Sequence, residues 1–572
     1  MPRNLLIGGA AGQGIDTTAA VFEKLLKQAG YFVFTVRDFM SRVRGGHNFI
    51  LIRFANEKIT SHSEQLDGIV ALNEETVELH KDRLTEQGFI LCDESIAASD
   101  ERMIKIDMQA LAKELGNPRV AGSIATGALL RLFGLELDHA QAEAAMKEFV
   151  KEQYVDINIK AIEAGYGEVS PHYDSEPGDY QDWMLISGNK AVGLGALAAG
   201  LRFYSAYPMS PSTGVMEFIA SHAEACGVVV EQAEDEIAGM NMAIGASYAG
   251  VRAMTGTSGG GFCLKVEALG LAGIAEIPVV VIDVQRPGPA TGLPTRTEQS
   301  DLKFVINAAQ GEFPRIVIAL RNHKDAFYQT IRAFKLAEQF QIPVILLSDQ
   351  YLADSSSTVR PYQIDPLDPF VGHATLAEML DNTYFEEMGS EPKHAYKRYL
   401  VTDEGISARL YPGSKFGLVA ADSDEHDEEG RITESAEVRV QQMDKRMRKF
   451  ELIRQLMLEP EWQGSDRPKV GLIGWGSLSG PLREAVQILN ESGDKRFAAI
   501  VFGDVWPLPQ EMLHKLADRA EILIDVEQNA TGQLASLIRE QTGITCQHHI
   551  LKYDGRQLSG EEIAARVKEV LK

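Results

Sequence analysis

The chain has 572 residues, a hydrophobic fraction of 45% and a formal net charge of −25. The length predicts about three or four globular domains, and the acidic balance argues against a general nucleic-acid or anionic-membrane surface. No apolar run approaches the roughly 20 residues that cross a bilayer, and the opening MPRNLLIGGAAGQG lacks the features of a signal peptide, so we expect a cytoplasmic protein.

The four cysteines lie far apart and form no CxxC motif: Cys92, Cys226, Cys263 and Cys546. This spacing argues against a disulfide framework and against a closed zinc or iron–sulphur site. No metal ligands are predicted in this chain. If the protein takes part in redox chemistry, its metal centre is expected elsewhere.

Residues 4 to about 165 alternate predicted strands and helices, beginning with a strand at Asn4–Ile7 and the glycine loop Gly8–Gly14. A strand, a glycine loop and a helix N-terminus together form an anion-binding arrangement. The loop is neither a dinucleotide fingerprint nor a P-loop. Two interpretations stay open, a pocket for a phosphorylated ligand or a tight turn beside surface arginines, and the arginines concerned are Arg37, Arg42 and Arg44.

The stretch 166–187 is rich in Gly, Pro, Ser and acidic residues and predicts a linker. A small-residue helix follows at Ala191–Gly200, then a strand that ends at Tyr207 and Pro208. The hydroxyl-rich turn after it contains Ser210 and leads into the next helix. Such a turn binds a carboxylate or phosphate, or it is only a helix N-cap.

The most informative stretch is 228–261. It predicts a short buried strand at Val228–Val230, an acidic turn, a helix at Ile237–Tyr248, a second strand, and a polar loop at Thr255–Gly261. Glu236 stands where the acidic turn meets the apolar helix. It is either a carboxylate carried into a partly buried site or a helix N-terminal carboxylate that the dipole favours.

An apolar strand at Ile277–Asp283 leads into a Pro/Gly loop that contains Arg286 and Arg296. The C-terminal ends of parallel strands are where α/β domains bind ligands, and an arginine there suits a bidentate carboxylate contact. Residues 355–445 lose regular patterning, and their acidic run DSDEHDEE is expected to be a solvated loop. Residues 469–572 again predict α/β structure.

Four motifs occur in order: YPMSPST, EQAEDE followed by AIGAS, TGTSGGG, and DVQRPGPATGLPTRTEQSDL. Together they resemble the α subunit of 2-oxoacid:ferredoxin oxidoreductases, with a γ domain fused at the N-terminus, most like the 2-oxoglutarate-using branch. The resemblance implies three α/β domains. We expect a Rossmann-like γ domain at 1–165, a linker at 166–187, a thiamine-diphosphate pyrimidine-binding domain at 188–354, an irregular segment at 355–445 and a transketolase C-terminal-like domain at 446–572.

The resemblance also implies roles for matching residues. Glu236 would activate the aminopyrimidine of thiamine diphosphate, Ser210 would contact the 2-oxo acid where relatives often carry Thr, and Arg286 would bind the substrate carboxylate. Arg296 is a candidate for a second carboxylate. The residues expected to bind the cofactor are Tyr207, Pro208, Thr257, Ser258 and Gly259.

The partners follow from the same resemblance. The diphosphate-binding half, Mg²⁺ and an iron–sulphur cluster would belong to a β subunit, in an (αβ)₂ assembly that reduces ferredoxin. The implied reaction is ylide attack on the 2-oxo carbon, loss of CO₂, electron transfer through the cluster and acyl transfer to coenzyme A. Coenzyme A is expected near Gly12, Gly14, Arg42 and Arg44.

Three alternatives stay open from the sequence. The substrate could be pyruvate, a branched-chain 2-oxo acid or an aryl-pyruvate. The chain could instead be a non-catalytic nucleotide-binding or assembly subunit, with both glycine loops structural. A Rossmann dehydrogenase acting alone is disfavoured by the missing fingerprint.

Overall fold

The computed structural model describes residues 2–40, 46–365, 396–415, 417–491 and 496–572. These residues form an α/β protein with sheets of eight, seven and five strands, which confirms the predicted fold class. The chain divides into two compact units. Unit 1 comprises Met1–Ile186, Ser355–Pro361 and Ser559–Glu561, and unit 2 comprises Ser187–Asp354, Tyr362–Leu558 and Glu562–Lys572. No helix in the described ranges is long and apolar enough to cross a membrane.

Unit 1 contains the eight-stranded mixed sheet. Its strand Arg3–Ala10 pairs in parallel with Leu66–Ala71 and antiparallel with His47–Ala55. Successive residues of Arg3–Ala10 and Leu66–Ala71 are buried on both faces, as in a sheet whose two faces are covered. In chain order the strands are Arg3–Ala10, Phe32–Asp38, His47–Ala55, Leu66–Ala71, Leu84–Asp93, Met103–Ile106, Met184–Ser187 and Ser356–Val359.

The core of unit 1 is built on aromatic rings. The Phe133 ring centroid lies 5.1 Å from that of Phe54, in an edge-on arrangement, and 5.3 Å from that of Phe89, in a tilted one. Aromatic pairs of this kind add to the stabilisation from burial of apolar area. The helices of this unit are Ile15–Gln28, Glu74–His80, Met108–Glu114, Ala121–Leu132, His139–Phe149 and Val155–Gly167, with 3₁₀ turns at Lys81–Arg83, Pro118–Val120 and Glu152–Tyr154.

Unit 2 contains the seven-stranded sheet. Its order is Asp504–Trp506, Ile316–Ala319, Pro343–Asp349, Val279–Gln285, Ala253–Thr257, Phe203–Ala206 and Val229–Gln232. All neighbours are parallel except the first pair. The carboxyl ends of six strands therefore meet at one edge. Its helices are Gly188–Ala198, Thr213–Ser221, Ala223–Cys226, Glu236–Tyr248, Gly259–Ile274, Leu302–Ile306, His323–Phe340 and Gln350–Asp354.

Two predictions in this sheet are wrong. The stretch Thr255–Gly261 is not a polar loop, because a strand continues to Thr257 and a helix begins at Gly259. The predicted buried strand near Val228–Val230 lies at the edge of the sheet, where Val229 is 58% exposed. Its β-branched residues reflect strand formation and not burial.

The five-stranded sheet also belongs to unit 2, and its strands are Glu461–Gly464, Val470–Trp475, Phe497–Phe502, Ile522–Glu527 and His548–Leu551. Its helices are Ser479–Asn490, Glu511–Arg519, Gln533–Thr542 and Gly560–Val570, with a 3₁₀ turn at Gly476–Leu478. One hydrophobic core joins residues of both sheets, for example Phe262 and Val281 with Trp475 and Phe502.

A helix at Ala436–Leu456 includes the predicted boundary at residue 446, and its buried face is mostly polar. Lys445 and Lys449 each lie 2.5 Å from the carboxylate of Glu276, and all three side chains are at most 1% exposed. The two lysines share this carboxylate, and removing it would leave two buried charges without a partner. The helix is thereby fixed to the seven-stranded sheet domain by charge.

The acidic run DSDEHDEE was expected to be a solvated loop, which is wrong for its centre. Glu425 lies 2.7 Å from Arg446 and 2.5 Å from Arg439. His426 is fully buried, and its ring centroid lies 3.9 Å from that of Tyr399. The acidic residues offset basic side chains of the neighbouring helix.

Candidate active site

Glu236 is the first residue of the helix Glu236–Tyr248, as the sequence predicts. The capping role belongs to its neighbour, because the Asp235 carboxylate accepts a 2.7 Å hydrogen bond from the backbone N–H of Ala238. Glu236 is 4% exposed, and its Oε1 atom is buried without a hydrogen-bond partner among the described residues. A buried carboxylate oxygen without a partner is costly, so this side chain is explained poorly by helix capping.

The glycines after the central strand allow close approach to Glu236. A Cβ atom at Gly261 would lie 2.5 Å from Glu236 Oε1 and still closer to Thr257 Oγ1. At Gly259 a Cβ would lie 2.7 Å from Asp301 Oδ1. Gly259 and Gly261 therefore begin the helix despite their low helix propensity, because a larger residue does not fit at either position.

Thr257, Ser258 and Gly259 form the turn between this strand and its helix. Thr257 and Ser258 are fully buried, and Ser258 Oγ has no hydrogen-bond partner in the described part of the chain. Two buried polar atoms at this edge of the sheet, Glu236 Oε1 and Ser258 Oγ, therefore have no hydrogen-bond partner among the described residues.

The YPMSPST segment meets the glycine turn and the arginine loop. The Thr257 hydroxyl lies 3.9 Å from the Met209 sulphur, and Arg286 Nη1 donates a 2.6 Å hydrogen bond to the backbone carbonyl of Ser210. The structure thus brings together Ser210 and Arg286, which were predicted separately. Tyr207 is 39% exposed at the start of this segment.

Arg296 lies in a different environment. Its Cβ atom would be 3.0 Å from a Cβ placed on Gly555, and the adjacent Thr297 N–H donates a 3.4 Å hydrogen bond to the Gly555 carbonyl. These contacts place Arg296 beside the C-terminal segment. Its role toward a second carboxylate stays a prediction.

Two further carboxylates at this edge were not predicted. Asp283 lies opposite Thr257 on the neighbouring parallel strand. Both of its carboxylate oxygens are buried without hydrogen-bond partners among the described residues. Burial raises the pKa of Asp283 well above its ordinary value, with the nearby Asp301 acting in the same direction. Burial, reinforced by Glu298, raises the pKa of Asp301 to about 7.

Lys265 is the other residue that sequence reasoning missed. It lies in the helix Gly259–Ile274 and is 1% exposed. The sequence does contain one indication of its burial. Lys265 stands four residues after Gly261, so helical spacing places its charge on the face that the helix buries.

In unit 1 the glycine loop has the predicted strand–loop–helix form. Gly12 and Gly14 have φ values of 92° and 85°, which favour glycine. Apart from the flanking residues, no atom of the described residues lies within 4 Å of a Cβ built on either. Gln13 Oε1 accepts a 2.7 Å hydrogen bond from the Ala10 N–H and closes the turn. Arg37 is neutralised by Glu23 at 3.1 Å.

Arg42 and Arg44 lie outside the described residues. The four cysteines are free thiols. Within the described ranges, no group of three or more His, Cys, Asp or Glu side chains is placed to hold a metal ion.

Comparison with known proteins identifies the family. Residues 194–445 match the family model described as pyruvate flavodoxin/ferredoxin oxidoreductase, thiamine diphosphate-binding, and residues 4–168 match the model of pyruvate ferredoxin/flavodoxin oxidoreductase. The chain is 33% identical to a 2-oxoacid:ferredoxin oxidoreductase subunit alpha of Sulfolobus sp, over 99% of this chain and 96% of the relative.

Two further proteins are similar over most of the chain. The 2-oxoglutarate oxidoreductase subunit KorA of Mycobacterium tuberculosis is 32% identical, over 88% of this chain and 78% of the relative. A solved structure of 2-oxoglutarate:ferredoxin oxidoreductase from Magnetococcus marinus, with 2-oxoglutarate, coenzyme A and succinyl-CoA bound, has a TM-score of 0.88 and 31% identity, covering 100% of both chains. The chain therefore belongs to the thiamine-diphosphate-dependent 2-oxoacid:ferredoxin oxidoreductases, as an α subunit.

Proposed function

We propose that this α subunit serves an enzyme that oxidatively decarboxylates 2-oxoglutarate. With coenzyme A as the co-substrate, the products are succinyl-CoA, CO₂, one proton and two electrons that pass to ferredoxin, and the reaction is reversible. Support for this acid comes from the Magnetococcus marinus protein, whose solved structure holds 2-oxoglutarate and succinyl-CoA, and from the Mycobacterium tuberculosis relative named for 2-oxoglutarate.

The observation that carries the proposal is the buried Glu236 carboxylate with a free oxygen beside the glycine turn. The residues present fit an aminopyrimidine ring, since Glu236 Oε1 and Ser258 Oγ are polar atoms in need of partners and the glycines leave no side chain in the way. When bound, thiamine diphosphate supplies an electron sink at its thiazolium ring for the loss of CO₂. Glu236 would hold and return the proton at the pyrimidine ring nitrogen.

The remaining residues would position cofactor and substrate. Tyr207, Pro208, Thr257, Ser258 and Gly259 would contact the cofactor at the sheet edge. The Ser210 hydroxyl and the Arg286 guanidinium would bind the 2-oxo acid, and the hydrogen bond from Arg286 to the Ser210 carbonyl would hold both in one arrangement. An Arg fork suits the planar carboxylate. Arg296 would take the second carboxylate.

The other components would come from partners. A β subunit would supply the diphosphate-binding half, Mg²⁺ and the iron–sulphur cluster, in an (αβ)₂ assembly that reduces ferredoxin. Coenzyme A would use the open glycine loop at Gly12 and Gly14, together with Arg42 and Arg44. Neutralising both arginines is then expected to raise the KM for coenzyme A.

The first test uses the native complex, purified without oxygen through this chain. Coenzyme A-dependent viologen reduction is measured with 2-oxoglutarate, pyruvate and 2-oxoisovalerate in parallel. Preference for 2-oxoglutarate supports the proposal, and preference for another acid keeps the mechanism and changes the substrate. Absence of turnover with all three in a complete complex would favour a non-catalytic assembly subunit.

The second test addresses Glu236. Glu236→Gln removes the proton acceptor at constant size, so turnover is expected to fall at least about 100-fold, the usual scale of general acid–base catalysis. Asp235→Asn is the matched control, because Asn also caps helices and the substituted group is exposed. Near-normal turnover of the Gln variant would refute the role of Glu236.

A further inference from the structure

Lys265 is a buried cation that contacts the first turn of the helix Glu236–Tyr248. Its Nζ donates a 2.9 Å hydrogen bond to Thr255 Oγ1 and a 3.3 Å hydrogen bond to the backbone carbonyl of Glu236. The side chain is 1% exposed. In the described part of the chain it forms no ion pair, so neutral oxygens are its hydrogen-bond partners.

This arrangement is costly for a structural lysine. Burying an ammonium group without an ion pair is unfavourable, and burial lowers the pKa of Lys265 to about 8, while Glu236 and Asp235 act in the opposite direction. Methionine would fill the same space without that cost. The charge is therefore expected to serve the site beside it.

The Glu236 carboxylate is the group that gains from this charge. Its Oε1 atom has no hydrogen-bond partner in the described residues, and Gly261 on the same helix as Lys265 lies against it. A nearby positive charge favours the ionised form of a buried carboxyl. Electrostatic coupling of this kind is mutual, because each charge stabilises the other.

The other charged groups around Lys265 do not replace this interaction. Asp235 is exposed at the helix start, where water screens its charge. Asp283 and Asp301 lie near the first turn of the lysine's own helix, and their raised pKa values reduce their negative charge near neutral pH. Glu236 is thus the buried carboxylate whose charge acts on Lys265.

We infer that Lys265 is a positioning residue that fixes the first helix turn at Glu236 through the backbone carbonyl and places a buried positive charge beside the Glu236 side chain, so that this carboxylate serves the cofactor as a proton acceptor. Lys265 reaches Glu236 through the backbone carbonyl and through its charge. The inference rests on the role proposed for Glu236 above. The chemistry of the cofactor does not by itself require a lysine at this position, so the function proposed for Lys265 comes from its place in the fold.

The main test compares pH profiles of kcat/KM in the reconstituted complex. Lys265→Met and Lys265→Gln remove the charge, Lys265→Arg keeps it, and Lys324→Met is the control because Lys324 is exposed on another helix. The neutral variants are expected to shift the acid limb upward by about one pH unit, the low end for an opposite charge, and Arg restores it in part. Profiles of both neutral variants that match the wild type would overturn the inference.

A second measurement needs no cofactor or activity. Between about pH 8 and pH 10 the folded chain loses the Lys265 proton before the unfolded chain does, so stability should rise with pH. In urea unfolding of the full chain, Lys265→Met should lose this gain relative to wild type and Lys324→Met. An unchanged slope in Lys265→Met would show that the lysine does not carry the buried charge.

The two proposals fail in different ways. If Glu236→Gln keeps turnover, the role of Glu236 is wrong and the inference falls with it. If Glu236→Gln is inactive while the neutral Lys265 variants keep the wild-type pH profile, only the inference on Lys265 is wrong.

Discussion

Gly261→Ala is the substitution that tests the site geometry most directly. The added Cβ would lie closest to Thr257 Oγ1, and it would lie 2.5 Å from Glu236 Oε1 and 3.0 Å from Glu236 Cγ, whereas unstrained carbon contacts are about 3.5–4.0 Å. The Glu236 carboxylate and the Thr257 hydroxyl must therefore each move by about 1 Å. Gly261 is not among the residues with positive φ, so the backbone itself accepts alanine.

The expected effects on activity and stability differ. A misplacement of about 1 Å costs about 100-fold in rate, so turnover of the native complex should fall to about 1%. Crowding costs about 1–3 kcal/mol, and the higher helix propensity of alanine returns about 0.5–1 kcal/mol. The free energy of unfolding should consequently fall by no more than about 2.5 kcal/mol.

The neighbouring glycine provides the matched control. A Cβ at Gly260 meets its nearest atom, the Ala290 carbonyl oxygen, at 3.5 Å, which is an ordinary contact. Viologen reduction and urea unfolding are measured for both alanine variants. If Gly261→Ala retains the turnover of Gly260→Ala, the position of the Glu236 carboxylate does not matter and the proposed role is refuted.

Two further predictions concern buried charges. Glu276→Gln leaves Lys445 and Lys449 without their partner, so urea unfolding followed by tryptophan fluorescence should show a loss of about 3–5 kcal/mol; a loss below about 1 kcal/mol, the scale of an exposed pair, would contradict the importance of this cluster. Burial raises the pKa of Asp301 to about 7, so the unfolded chain releases this proton first as pH rises from about 4 and stability falls over that window. Asp301→Asn should reduce this fall, and an equally steep fall in the variant would show that Asp301 does not hold its proton in the folded state.

The candidate site could be located from the sequence because its residues lie where predicted helices begin and predicted strands end. Glu236 was placed at a helix start and Arg286 in a loop after a buried parallel strand, and both placements are confirmed. These positions are readable because apolar periodicity and turn residues mark where elements begin and end. The contact between Ser210 and Arg286 joins residues 76 positions apart, which only the order of strands in the sheet determines.

The buried lysines could not be predicted from the sequence, because charged residues there occupy positions in the protein core. Lys265, Lys445 and Lys449 are buried, although lysine is ordinarily a surface residue. Their positions follow helical spacing, but their partners lie in distant segments. Lys445 and Lys449 pair with the Glu276 carboxylate, and Lys265 bonds the Glu236 carbonyl and the Thr255 hydroxyl. The glycine turn was taken for a loop because low helix propensity is a weak guide where space is limiting.

The strand Asp504–Trp506 has a consequence for how this chain can be divided. It pairs with Ile316–Ala319 of the seven-stranded sheet, whereas the preceding strand Phe497–Phe502 belongs to the five-stranded sheet. Cutting the chain between these sheets would expose the edge of Ile316–Ala319 and open a core that both share. The C-terminal segment is therefore not a removable module, and the two sheets of this unit should unfold in one cooperative step.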